Sequence, residues 1–198
     1  MRTRLTKEDR RANILEEAKN LFQTLGYGQT EMEDIRKACN MSRGGLYHHF
    51  ANKGAILDAL AEAEVGGLAD KIRGQTDPIA SLLQHGSVHL GQEKGLLSAF
   101  KSIEEKRDYL SALDQAFAAD LLPVLAKELE TLVAPELSPE HVAELFITVN
   151  SHINRRVMLN EWSDTEASRF AGTALIALTP LLKVPDNVQK LIEALATE

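Results

Sequence analysis

An all-α fold is predicted for this chain of 198 residues, and three features of the sequence predict it. Apolar residues recur at spacings of three and four, the period of one helix face, along most of its length. Residues that start helices stand at the head of these apolar runs, and glycines or prolines stand at their ends. The runs are short in the N-terminal quarter and longer after it. That change divides the chain into a small three-helix domain, 1–52, and a larger helical bundle, 53–198.

The first helix is expected from Thr6, an N-cap with Asp9 three residues on, and carries Ile14, Leu15, Ala18, Leu21, Phe22 and Leu25 on its apolar face. Gly26 is placed to end it, because glycine takes a left-handed cap conformation without a Cβ penalty. A second helix is expected to restart at Thr30, with Thr30-Glu31-Met32-Glu33 as a capping box and Met32, Ile35 and Ala38 as a short apolar face. Asn40 suits a tight left-handed turn. Ser42 then caps a third helix inside the segment NMSRGGLYHHFANK, residues 40–53, where Leu46 and Phe50 share a face. This helix opens with Gly44 and Gly45, although a glycine costs up to ~1 kcal/mol relative to alanine inside a helix. Missing side chains at a helix start let backbone amides approach phosphates or base edges. Two short helices joined by such a turn form the layout of a helix-turn-helix, whose second helix lies in the DNA major groove.

Beyond Asn52, helices are expected over 53–73, 79–90, 96–106, 109–132, 140–162, 164–182 and 186–196. Pro123 is expected to kink the helix over 109–132, since its nitrogen cannot donate to the carbonyl of Ala119.

Charge separates the two parts. Residues 1–53 hold ten lysines and arginines against seven acids, a net of +3, which leaves −10 for the remainder of a chain whose net charge is −7. A basic head on an acidic body points to a polyanion met by the head alone. The 44% apolar fraction is that of a globular protein, and no apolar run approaches the ~20 residues that cross a bilayer. Cys39 is the one cysteine, so no internal disulfide framework exists. A cytoplasmic protein without membrane contact is expected. No HExxH, no nucleophile paired with a base and no phosphate-cradling glycine loop is present, so no enzymatic activity and no cofactor are expected. His85 and His89, four apart, have the spacing of two ligands to one metal, but a third ligand is not evident and no metal is expected.

The N-terminal third resembles the tetracycline-repressor (TetR) family of bacterial transcription regulators. The resemblance runs from Arg11 through Ile14-Leu15, Ala18, Leu21-Phe22, Gly26-Tyr27, Thr30, Asp34-Ile35 and Ala38, then Ser42-x-Gly44-x-Leu46-Tyr47-x-His49-Phe50, to Lys53 and Leu57. It covers roughly residues 8–60, in one unbroken register. The resemblance implies that Arg43, Gly44, Gly45 and His48 face bases while Tyr47, His49 and Lys53 hold the backbone, with Thr30, Met32 and Ser42 in the same DNA-binding set. Arg43 is the strongest candidate for direct readout, since its fork can donate twice to guanine O6 and N7. Three positions depart from the family pattern: Arg36 where alanine is common, Asn40 where glycine is common, and Glu33 where a cation often faces phosphate.

The resemblance further implies a homodimer on a palindromic operator in double-stranded DNA, built through the helices over 140–162 and 164–182, with Phe146, Val149, Ile153, Val157, Phe170, Ala171 and Ala174 at the interface. It implies a small-molecule effector in the body, for which the polar residues interrupting apolar stripes are candidates: His85, His89, Tyr109, Asn150, His152 and Trp162. The expected function is that of a repressor released by an effector. The alternative is a helical ligand-binding or enzymatic protein whose helix-turn-helix is vestigial, and Glu33 and Arg36 are the residues that give it weight.

Overall fold

The computed structural model describes residues 6–75, 78 and 96–183. Helices account for nearly all regular structure among them, and eight are numbered here in chain order. The described residues fall into two compact units, 6–63 with 96–112, and 64–75 and 78 with 113–183.

In the first unit α1 (Lys7–Leu25) starts as expected. Thr6 Oγ1 accepts from the Asp9 amide at 3.0 Å, and Asp9 Oδ2 accepts from the Thr6 amide at 3.1 Å. Ile14, Ala18 and Phe22 bury the inner face. Gly26 ends the helix at φ +96°, with its amide donating to Phe22 O at 2.9 Å. Helix α2 (Met32–Ala38) corrects the expectation at its start, because Glu31 and not Thr30 is the N-cap. The box partner is Asp34, whose Oδ2 accepts from the Glu31 amide at 3.0 Å. The hydroxyl of Thr30 is engaged elsewhere: fully buried, it donates to Gly26 O at 2.8 Å and closes the loop between the helices.

Asn40 takes the left-handed turn at φ +50°, and the Met41 amide donates to Arg36 O at 3.1 Å. Helix α3 (Arg43–His49) and helix α4 (Lys53–Ile72) follow, α4 being started by Asn52 Oδ1, which accepts from the Ala55 amide at 2.8 Å. Leu46, Phe50, Ile35, Ile56 and Leu57 join the buried face of α1 in one small core.

A single turn of 3-10 helix, Leu96–Ala99, packs against α1. Helix α5 (Ile103–Ala116) follows, so the expected break between 106 and 109 does not occur. The cause is a capping pair at Ser102: its Oγ accepts from the Glu105 amide at 3.1 Å, and Glu105 Oε2 accepts from the Ser102 amide at 3.2 Å. Phe22, Tyr27, Phe100 and Tyr109 form a chain of ring contacts with centroids 5.0, 5.4 and 4.7 Å apart.

In the second unit the expected kink at Pro123 appears as a turn of π-helix, Phe117–Leu121, before α6 (Leu122–Leu129). The Leu122 amide donates to Phe117 O five residues back, and the widened turn accommodates the proline ring and its missing donor. Helix α7 (Pro139–Met158) is capped by Ser138, and α8 (Asp164–Leu178) by a box of Ser163 and Glu166. Helix α7 stops before Trp162, where a longer helix was expected. Asn160 at φ +55° reverses the chain, and Arg156 pairs with Glu161 at 2.7 Å. Helix α7 packs between α6 and α8, and an antiparallel bridge of Val133 to Leu182 ties the ends of this layer together.

The helices expected over 79–90 and 186–196 lie outside the described residues. Among the described residues no helix is long and apolar enough to cross a membrane.

Candidate nucleic-acid interface

The exposed side of α2 and α3 is built from inside outward. On α3, Leu46 is fully buried and the capping residue Phe50 nearly so, which fixes the opposite side of a two-turn helix toward solvent. Tyr47 is 44% exposed, and Arg43, Gly44 and His48 are exposed with it. Ser42 Oγ accepts from the Gly45 amide at 3.1 Å and satisfies the first turn.

The two glycines have different reasons. A Cβ added to Gly44 would meet nothing within 4 Å, whereas one on Gly45 would lie 3.1 Å from Ser42 Oγ and 3.4 Å from Met41 Cε. Gly45 is therefore bare because its own cap and the preceding turn crowd it. Gly44 is the one whose missing side chain leaves a gap on the outer surface.

An open groove between α2 and α3 is lined by Glu31, Met32, Glu33, Arg36, Arg43 and Tyr47. Arg36 spans it. Its Nε and one terminal nitrogen donate to the two oxygens of Glu33 at 2.9 and 2.8 Å, and its other terminal nitrogen donates to Met41 O at 2.6 Å. The hydrogen bonds from Arg36 hold the Glu33 carboxyl below its usual range; desolvation opposes them, and the charges of Arg36, Lys37 and Arg43 add smaller effects in the same direction as the bonds. The departures from the family pattern at Arg36 and Asn40 are thus accommodated: the guanidinium staples α2 to the turn, and the asparagine makes the turn.

Two of the expected DNA contacts are turned inward, and a third is half-buried. Thr30 is fully buried and hydrogen-bonded inside the loop, so it offers no surface to a duplex. Lys53 points its ammonium at that same loop, donating to Tyr27 O at 2.7 Å and Thr30 O at 2.9 Å, with Nζ 4.4 Å from the centre of the Tyr27 ring. An ammonium has three donors, and a third carbonyl, Gly28 O, lies 3.5 Å from the same nitrogen. Burial lowers the Lys53 pKa, with Glu105 and Glu31 opposing the shift. His49 is half-buried beside His48. Burial, then His48, then Lys7, Arg10 and Arg11 lower its pKa. Met32 lines the groove, and Ser42 is exposed at its edge.

Sequence reasoning missed the part played by Glu105. Its carboxylate accepts from the Lys101 amide at 2.7 Å and lies where any side chain on Gly28 would have to stand. The pattern Ser102-x-x-Glu105 was the readable signal. Cys39 is buried in this unit, and desolvation first, with Glu17 adding and Arg10 opposing, pushes its thiol up to about 11.

The other expected sites lie elsewhere. Tyr109 is fully buried and stacked on Phe100. His152 and Trp162 form a cluster with Phe170, at 5.3, 5.4 and 5.0 Å between ring centres, and Arg156 lies 5.0 Å over the Trp162 ring. His152 and Phe170 are exposed in that cluster. Phe146 and Ile153, expected at a dimer interface, are buried within the protomer, while Val149, Val157, Ala171 and Ala174 are half-buried. Asn150 is half-buried on α7, and His85 and His89 lie outside the described residues. Among the described residues no three side chains are grouped to hold a metal ion.

Residues 14–60, which span the small core and both helices of the groove, match the family described as bacterial regulatory proteins, tetR family. That segment carries the N-terminal pattern of the TetR family. The chain is similar to the HTH-type transcriptional regulator YfiR of Bacillus subtilis, 24% identical over 93% of this chain and 98% of that protein. It is also similar to an HTH-type transcriptional repressor of Mycobacterium tuberculosis, 37% identical but over only 30% of this chain and 32% of that one. In fold it is similar to SmeT solved with triclosan, at a TM-score of 0.60, 20% identity and coverage of 90% of this chain and 93% of that one. The relatives it resembles are named as helix-turn-helix transcriptional regulators. The residues that carry the family match are those that build the head, which is why a short match is informative.

Proposed function

We propose that two copies of this chain form a repressor that occupies a palindromic operator and is released by a small-molecule effector. The observation that carries the DNA part is the exposed side of α3, where Arg43, Gly44, Tyr47 and His48 face solvent behind a fully anchored Leu46. A reader with one recognition helix gains a second half-site by two-fold pairing, with helices about 34 Å apart or a multiple of that.

Pairing is supported by apolar residues left exposed on α7 and α8. Leu145, Phe170 and Ile176 are 46%, 37% and 46% exposed, and Val149, Val157, Ala171 and Ala174 add half-buried area. With Phe146 and Ile153 assigned to the core, this set and His152 make the proposed face. Support for an effector is the triclosan found in SmeT, a protein of similar fold. Asn150 remains a candidate contact, together with His85 and His89, whereas His152 and Trp162 are assigned to the dimer face. The division at residue 52 separates DNA reading from these other tasks, although the segment 96–112 packs with the head.

The test is selection of duplexes from a random pool, followed by band-shift titration of the selected sequence at rising salt. A palindromic consensus, a dimer by light scattering and a steep negative dependence of log affinity on log salt are expected. Arg43→Ala should cost ~1–3 kcal/mol and relax one base position per half-site. Failure to enrich any sequence, with salt-independent binding, would favour the ligand-binding alternative with a vestigial helix-turn-helix. Phe170→Glu with Ile176→Glu should give a monomer that loses the palindromic site.

A further inference from the structure

We propose that Glu33 restrains DNA binding by holding Arg36 away from the phosphate backbone. The inference rests on the reading of α2 and α3 as the DNA interface and concerns how strongly that interface attracts a duplex.

In a helix-turn-helix the first helix crosses the backbone while the second enters the groove. Arg36 stands on α2 beside that crossing, in the groove shared with Arg43 and Tyr47. A guanidinium there would ordinarily neutralise a phosphate. Here two of its nitrogens are matched to both oxygens of Glu33 in the fork geometry that a phosphate would otherwise use. The third nitrogen is held by Met41 O, which fixes the side chain in place without supplying a counter-charge. The Glu33 side chain is about half exposed and the pair links adjacent turns of one helix, so it adds little to folding. Its larger effect falls on the field that a polyanion meets. The lining residues Glu31, Glu33, Arg36 and Arg43 sum to zero formal charge, which makes the groove neutral on a head whose net charge is +3.

Replacing Glu33 with glutamine removes the charge but keeps the length. The Nε edge of Arg36 is then available to a phosphate while the bond to Met41 O persists. The gain is independent of sequence, because phosphates carry no base information.

The experiment measures wild type, Glu33→Gln, Glu33→Asp, Glu62→Gln and the double variant Glu33→Gln with Arg36→Met. Each is titrated against the duplex selected by wild type and against a scrambled duplex, between about 50 and 200 mM salt. Glu33→Gln should bind both duplexes several-fold tighter at ~0.1 M salt, with a salt slope steeper by about 0.9 for each protomer engaged. The ratio between the two duplexes should stay the same. Glu33→Asp keeps the charge and should resemble wild type. Glu62→Gln makes the same charge change on α4, where Glu62 lies 3.8 Å from Arg11, and should shift the slope by less than half as much. The double variant should lose the gain.

An unchanged slope in Glu33→Gln, or a gain that survives removal of Arg36, overturns the inference and leaves the DNA reading in place. Loss of binding in both Glu33→Gln and Glu33→Asp overturns it in favour of a purely structural latch. Wild type without salt-dependent duplex binding overturns the DNA reading and the inference together.

Discussion

Helices α2 and α3 are equal in length, seven residues each, and each has one fully buried apolar anchor, Ile35 or Leu46, but their polar groups are used differently. A helix of two turns has almost no stability of its own, so each must be fixed by its surroundings. α2 adds polar groups to Ile35: Glu31 and Asp34 close its start, and Arg36 ties Glu33 to Met41 O at its end. α3 is fixed by apolar anchors, Leu46 within it and Phe50 at its cap, with Ser42 as its one side-chain cap. The difference decides what each can offer a partner. Charges on α2 face one another, while the outer residues of α3 face solvent.

The comparison breaks most readily at Leu46. Leu46→Ala empties a fully buried site and is expected to cost ~2–5 kcal/mol, measured as a lower urea midpoint with duplex binding lost in step. A cost under ~1 kcal/mol would mean that α3 is held by something other than its apolar face. Lys53→Met is the next largest effect. It keeps the stem but leaves the carbonyls of Tyr27 and Thr30 without their donor, which costs ~1–2 kcal/mol at this partly exposed site. Affinity should fall alike for every sequence with the salt slope unchanged. A slope shallower by about 0.9 per protomer would return Lys53 to the phosphate contact that the sequence suggested.

That reassignment shows what was legible and what was not. Caps and spacing gave α1, the turn at Asn40 and the apolar face of α3, because each depends on residues within four positions of one another. Thr30 and Lys53 could not be placed in this way. The partner of Lys53 is Tyr27 O, twenty-six residues away, and that of Thr30 is Gly26 O, four residues away but a main-chain acceptor that no residue type marks. The glycine pair carries the same lesson. Sequence shows two bare residues, and only the packed turn shows that Met41 and Ser42 crowd one of them. Phe146 and Ile153 lie at helical spacing with Val149, so spacing assigned them to a common face, but burial sends them into the core.

The glycines sharpen the comparison at smaller scale. Gly44→Ala adds a methyl group to open space, so it should raise head stability by up to ~1 kcal/mol while weakening duplex binding. Gly45→Ala must displace Ser42 Oγ or Met41 Cε, so its propensity gain should largely cancel. Thermal melts and titrations of the two variants should therefore separate: more stable and weaker-binding for the first, little change in stability for the second. Parallel behaviour would mean that both face the duplex.

The smallest expected effect is a pH dependence that touches one helix and not the other. Burial, then His48 and the cations Lys7, Arg10 and Arg11, all lower the His49 pKa from 6.5. The unfolded chain then binds more protons than the folded one between the depressed value and 6.5, so stability rises with pH across that window and falls on acidification from pH 7 toward 5. The α2 latch is unaffected there, because the Glu33 carboxyl, bonded to Arg36, titrates below its usual value of 4.5 and stays charged. The Asp9 cap on α1 behaves likewise: its bond to Thr6 lowers its pKa from 3.8, so its stabilisation is present above that value and is lost only in stronger acid. A urea midpoint that declines from pH 7 to 5 in wild type should decline less in His49→Gln. An identical decline in that variant would move the proton-linked group away from α3, and with it the idea that apolar anchoring buries part of that helix's own polar end.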